Sequence, residues 1–236
     1  MKKLTSSIFC VGVLVLTSIS IGAQKNNKSD KKDTLTIHPY MKASSYSALK
    51  WRGVGPAVTS GRIIDMAINP NKTYQWYIAV ACGGVWKTDN AGTSFSPIFD
   101  GQGSYSVGCI KMDPNNENVI WVGSGENNNQ RSVGYGDGIY KSEDGGKTWN
   151  NMGLKTSEHI GMIAIDPTNS NIIYVAAYGP LWNRGGERGV YKTMDGGKNW
   201  KQVLNISENT GCNEIHIDPK HSNILYATAH QRRRHE

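Results

Sequence analysis

The stretch "KSEDGGKTW" at residues 141–149 returns as "KTMDGGKNW" at residues 192–200. Two glycines at fixed offsets after an aspartate read as a tight corner. Gly145-Gly146 and Gly196-Gly197 supply backbone positions where φ can be positive without steric cost. Asp144 and Asp195 can accept from main-chain N–H groups inside their own turn, an Asx-type closure. Trp149 and Trp200 then open the next extended segment, placed to pack over the turn. A degraded copy, "KTDNAGTSF" at 87–95, puts Asn90 at the aspartate position, Gly92 at the second glycine and Phe95 at the tryptophan position.

Working outward, the corner sits inside a longer repeat. "CIKMDPNNENVIWVGS" (109–124), "MIAIDPTNSNIIYVAA" (162–177) and "EIHIDPKHSNILYATA" (214–229) align on an apolar run ending in Asp-Pro. "IIDMAINPNKTYQWYIAVA" (63–81) is a looser copy, with Asn-Pro in that place. The prolines at 70, 114, 167 and 219 are 44, 53 and 52 residues apart. "GVWKT", "GIYKS" or "GVYKT" precedes each corner.

Each unit reads as four short strands. The first alternates, and Asp-Pro ends it, because proline cannot donate to a sheet ladder. "NIIYVAA" is a nearly continuous apolar strand, "GVYKT" the third, and "WKQVL" or "WNNMG" the fourth. No helical periodicity occurs. Four-stranded units at a period of roughly 40–50 residues predict an all-β fold of propeller blades. The expected units are 60–100, 105–154, 158–205 and a partial fourth at 210–236, within a propeller region 43–236. Three full antiparallel blades and part of a fourth make an incomplete, open arc. "ALKWRGVGP" (48–56) resembles the fourth-strand tails and reads as the closing strand of a last blade, so the chain reads as the front part of a longer propeller.

The corner resembles the Asp-box, or bacterial neuraminidase repeat, Ser/Thr-x-Asp-x-Gly-x-x-Trp. That repeat is found in sialidases, xyloglucan-cleaving glycosidases and sortilin-type receptors. "YKSEDGGKTW", "GERGVYKTMDGGKNW" and "ATAHQRRR" are similar to large secreted bacterial proteins labelled sortilin-like or glycosyl-hydrolase-like. The resemblance covers about residues 45–236. It implies a structural role for Asn90, Gly92, Phe95, Asp144, Gly146, Trp149, Asp195, Gly197 and Trp200, outside any catalytic centre.

Antiparallel order places the Asp-Pro turns and the corners on one face. The crossings from second to third strand fall on the other. The first unit crosses in "CGG" (82–84), whereas the next two insert "GSGENNNQRSVGYGDG" (123–138) and "YGPLWNRGGERG" (178–189). Added loop length on one face is where function concentrates. Glu126, Asn127, Arg131 and Asp137 offer donors and acceptors, and Tyr135 and Trp182 flat surfaces that suit a sugar ring. Arg184 and Arg188 suit a forked carboxylate contact, and Arg62 and His159 enter from the same end. These are ligand-binding candidates for a glycan or an extracellular polypeptide. A glycoside hydrolase needs two paired carboxylates, and no such pair can be assigned here. The leading expectation is a recognition scaffold, the alternative the front part of a sialidase- or xyloglucanase-like hydrolase.

Charge and cysteine usage narrow the classes further. Of the net +7, residues 1–33 contribute six Lys and two Asp (+4) and "RRRHE" three Arg and one Glu (+2). The remainder is nearly neutral and holds no clustered basic element, which disfavours nucleic acid. Lys2 and Lys3, the apolar run Ile8–Leu16 and the small-residue exit before Gln24 read as a signal peptide (1–23), with a polar linker at 24–42. The expected location is therefore outside the cytoplasm, with no membrane span. Cys82, Cys109 and Cys212 are too few and too scattered for a disulfide framework, and no Cys-x-x-Cys pair points to zinc. Neither metal nor cofactor is expected.

Overall fold

The computed structural model describes residues 61–128 and 133–234. The segments read above as signal peptide, linker and closing strand, and Arg131, lie outside the described residues. The chain there is all-β. Strands β1 (Ile63–Ile68), β2 (Trp76–Val80), β3 (Gly84–Thr88) and β4 (Ser96–Pro97) form one antiparallel sheet in that order. β5 (Val107–Asp113), β6 (Asn116–Ser124), β7 (Ile139–Ser142) and β8 (Asn150–Asn151) form the second. β9 (Ile160–Asp166), β10 (Asn169–Ala177), β11 (Gly189–Thr193) and β12 (Lys201–Leu204) form the third, and β13 (Gly211–Ile217) pairs with β14 (Leu225–His230). The innermost strands stand side by side, β1 on β5, β5 on β9 and β9 on β13. The result is an incomplete β-propeller of radial sheets.

The core lies between blades. Tyr77, Val85, Phe99, Ile110 and Val122 fill the space between the first and second, and Trp121, Ile160, Ile163 and Val175 that between the second and third. Ala176, Val190, Cys212 and Ile215 do the same at the last junction. One device recurs in each full blade. The lysine of the third strand lies directly opposite an aromatic of the second and caps its ring, at 5.5 Å for Lys87 on Tyr77, 5.4 Å for Lys141 on Trp121 and 5.2 Å for Lys192 on Tyr174.

The corner is closed by its own side chains. Asp144 Oδ1 accepts from the N–H groups of Lys147 and Thr148, both at 2.9 Å, while its Oδ2 accepts from Thr148 Oγ1 at 2.6 Å. Asp195 Oδ1 takes Asn199 N at 2.9 Å and its Oδ2 takes Asn199 Nδ2 at 2.7 Å. These bonds hold both carboxyls at about 2, well below their usual range. The preceding buried hydroxyl does two jobs. Ser142 Oγ donates to Asp144 at 2.8 Å and accepts from Gly146 N at 2.8 Å, a pattern Thr193 repeats with Asp195 and Gly197. In the first blade Asn90 Oδ1 replaces the carboxylate, accepting from Ser94 N at 2.9 Å. Each corner also donates to the beginning of its own second strand or to the residues just before it: Ala91 N to Tyr74 O, Gly145 N to Asn118 O and Gly196 N to Asn171 O. The corners and the Asp-Pro turns therefore share a face.

The tryptophan reaches beyond its own turn. Trp149 Nε1 donates to Ile98 O and Trp200 Nε1 to Met152 O, each at 2.7 Å, so both reach the preceding blade. Trp149 meets Phe99 edge-on at 5.1 Å, and Trp200 meets Trp121 edge-on at 6.5 Å.

Candidate functional site

The opposite face carries the long crossings, and their fold starts from a buried serine. Ser106 Oγ donates to the carbonyls of Ala81 (2.9 Å) and Gly134 (3.0 Å) and accepts from Glu126 N (3.1 Å). This ties the first blade to the loop that follows β6 and turns Glu126 inward. The side chain of Glu126 is 3% exposed. Its Oε1 accepts from Arg62 Nη2 at 2.8 Å and from the Cys82 thiol at 3.2 Å, and its Oε2 from Gly134 N at 3.1 Å. Burial, then the bond to Glu126, pushes the Cys82 thiol up to about 11. Cys82 is thus a hydrogen-bonding member of the loop face, whereas Cys109 and Cys212 are packed among apolar side chains.

Asn127 follows. Its Nδ2 donates to Gly161 O at 2.9 Å, and its side of the loop walls a cavity of about 270 Å³ shared with Ile64, Asp65, Tyr178, Asn213 and Glu214. Asp65 spends one oxygen on Ile110 N and the other on Met66 N, a bond between adjacent blades. Glu214 stands exposed on the far wall.

His159 is fully buried beneath the Tyr135 ring, with centroids 5.6 Å apart. Neither ring nitrogen has a hydrogen-bond partner of good geometry. Burial first, and the nearby Arg232 guanidinium next, hold it down at about 4, so it is neutral at physiological pH. Arg232 belongs to the run after β14 and reaches this centre from far along the chain. It is 6% exposed, lies 4.8 Å over the Tyr178 ring and donates through Nη1 to Glu126 O at 3.3 Å.

The remaining candidates lie apart from this centre. Asp137 accepts from Tyr140 OH and Ser124 Oγ and fixes the base of its loop. Trp182 is 46% exposed. Arg184 makes an exposed pair with Glu208 at 3.2 Å. Arg188, expected to meet a carboxylate, is buried and donates instead to the carbonyls of Tyr178, Pro180, Asn183 and Gly185, holding the second long loop in shape. Its neighbour Glu187 accepts from Thr156 N and Oγ1 rather than pairing with it. The structure thus brings Arg62, Glu126, Asn127 and His159 together and adds Cys82, Tyr178 and Arg232, which the sequence reading did not single out. "HQRRR" is the available signal for Arg232, and it points to charge and to a family resemblance but not to this position. Among the described residues no group of three or more His, Cys, Asp or Glu is placed to hold a metal, and no helix is long and apolar enough to cross a membrane.

Comparison with known protein families finds no match. Among curated proteins the chain is 26% identical over 193 residues to a xyloglucanase of Hypocrea jecorina, covering 76% of this chain and 22% of that protein. Among solved structures it is similar to an ancestral GH74 enzyme, with a TM-score of 0.56 and 21% identity, over 71% of this chain and 22% of that one. The GH74 enzyme of Niastella koreensis gives 0.54 and 23%, over 68% and 24%. The chain therefore spans about a fifth of the length of the relatives it matches. On sheet topology and structural likeness together, the chain is an all-β, incomplete β-propeller similar in fold to the GH74 enzymes.

Proposed function

We propose that this chain is part of a secreted, Asp-box, glycoside-hydrolase-like propeller that engages a xyloglucan-type polysaccharide across the face formed by residues 123–128, 133–138 and 178–189. The observation that supports it most is the 193-residue similarity to a xyloglucanase, which covers 76% of this chain. Tyr135 and Trp182, 50% and 46% exposed, offer the flat surfaces a sugar ring stacks on. Glu126 serves as an anchor rather than a proton donor, because both its oxygens are already taken and its side chain is closed to solvent. In this reading the chain contributes the binding surface, and the two carboxylates of a hydrolytic pair include at least one from outside the described residues.

The experiment is calorimetric titration of the full chain with xyloglucan oligosaccharides, run beside a reducing-end assay on xyloglucan. Binding that falls roughly tenfold in Trp182→Ala or Tyr135→Ala supports the reading, and no binding by the unaltered chain refutes it. A second reading, recognition without cleavage, is favoured by the saturated state of Glu126. Saccharide binding with no release of reducing ends, in this chain and in any longer form, selects it.

A further inference from the structure

The Arg232 guanidinium presents a donor pair with no hydrogen-bond partner among the described residues. Its Nη1 is anchored on Glu126 O and its plane lies over the Tyr178 ring, yet Nε and Nη2 are buried without a hydrogen-bond partner. Those two nitrogens share one edge of the guanidinium, the edge that a carboxylate fills with two parallel bonds. His159, close enough to Arg232 for that charge to act on its titration, makes no ring hydrogen bond of good geometry among the described residues. Buried polar groups are almost always satisfied, so the two orphan nitrogens of Arg232 point to a missing partner.

Arg188, Arg184 and Arg62 are already engaged. Arg188 is consumed by four carbonyls, Arg184 by Glu208, and Arg62 by Glu126. Glu126 gives Arg232 a main-chain oxygen, while its carboxylate goes to Arg62. Arg232 is thus a buried positive charge with no acidic side chain hydrogen-bonded to it among the described residues. A carboxylate offers two oxygens for the Nε–Nη2 edge and can also accept the single N–H of neutral His159. Tyr135 covers His159 and is itself half exposed, so only this ring separates His159 from solvent on that side.

We propose that Arg232 and His159 form a carboxylate-binding pocket on the loop face, which takes the acid group of a uronic-acid residue. The inference rests on the saccharide-binding reading above and adds a charge requirement to it.

Calorimetry on the full chain tests it with four probes: trigalacturonate, its methyl ester, a neutral xyloglucan heptasaccharide, and acetate. Trigalacturonate is expected to bind roughly ten- to a hundredfold more tightly than its ester. Arg232→Lys, which keeps the charge and removes the fork, should abolish that preference, and Arg184→Lys should leave it intact. Equal binding of acid and ester, or binding of acetate with no uronate binding, overturns the proposal. The neutral heptasaccharide binding without any uronate binding overturns it too, but leaves the proposed function standing. No saccharide binding of either kind overturns both. Should Arg232→Lys fail to fold, the acid-to-ester comparison on the unaltered chain still decides.

Discussion

The indole nitrogen of Trp149 donates to the main-chain oxygen of Ile98 at 2.7 Å, and Ile98 belongs to the preceding blade. Trp200 repeats the bond on Met152. The tryptophan of the corner is therefore a staple between blades, and the Ser/Thr–Asp–Gly framework exists to aim it. Trp200→Phe removes one hydrogen bond but keeps the ring against Trp121, and should cost about 1 kcal/mol. Trp200→Ala removes the ring as well and should cost about 3 kcal/mol. Denaturant titration of the two variants checks the order; equal losses would mean that the ring packing adds nothing, and an unchanged Trp200→Phe that the bond carries nothing.

The glycines of the corner are held by two constraints at once. Gly197 has φ +96°, and a Cβ there would stand 2.7 Å from Trp121 Cη2. Gly185 has φ +71° but open space around it. Gly185→Ala should therefore cost about 1 kcal/mol of backbone strain. Gly197→Ala adds a clash with the neighbouring blade and should cost about 3 kcal/mol. Thermal melts of the pair separate the two terms.

Acid should act in two stages. His159 is depressed to about 4 from an ordinary value of 6.5, so the unfolded chain takes up this proton first. Stability falls from about pH 6.5 towards pH 4 on that account. Asp144 and Asp195, held at about 2, contribute stability that is present above their ordinary carboxylate range and lost as pH drops below about 4 towards 2. In His159→Phe the first stage should vanish and in Asp144→Asn/Asp195→Asn the second should flatten, as read by circular dichroism melts across pH 7 to 2.

Much of this architecture was legible in the chain. The Asp-Pro spacing, the β-rich runs between turns and the paired glycines each follow from short-range chemistry, and they place the strands correctly. The partners of Trp149 and Trp200 were not legible, because Ile98 and Met152 carry no residue-type signal when the bond is to a main-chain oxygen. Arg62 and Glu126 could be assigned to the same face, but their bond spans 64 residues and depends on how β1 and the loop after β6 are rotated about their own axes. Arg232 lies 106 residues from Glu126, and a run of three arginines gives no hint of which one turns inward. Arg188 misled for a related reason: a guanidinium suited to a carboxylate is equally suited to a ring of carbonyls, and local loop geometry decides.

Cys82 offers a probe of the buried carboxylate. Its thiol is raised to about 11 by burial and then by Glu126, so alkylation at pH 8 should be slow. Glu126→Gln removes the charge and should speed modification several-fold. A rate unchanged by that substitution would place the whole effect in burial.

Hydrogen–deuterium exchange of the full chain with and without a xyloglucan oligosaccharide tests the account most directly. The account predicts slowed exchange in residues 124–128 and 133–138 and in 178–189, with the corners at 142–149 and 193–200 unchanged. Protection confined to those corners, with the long loops unaffected, would contradict it.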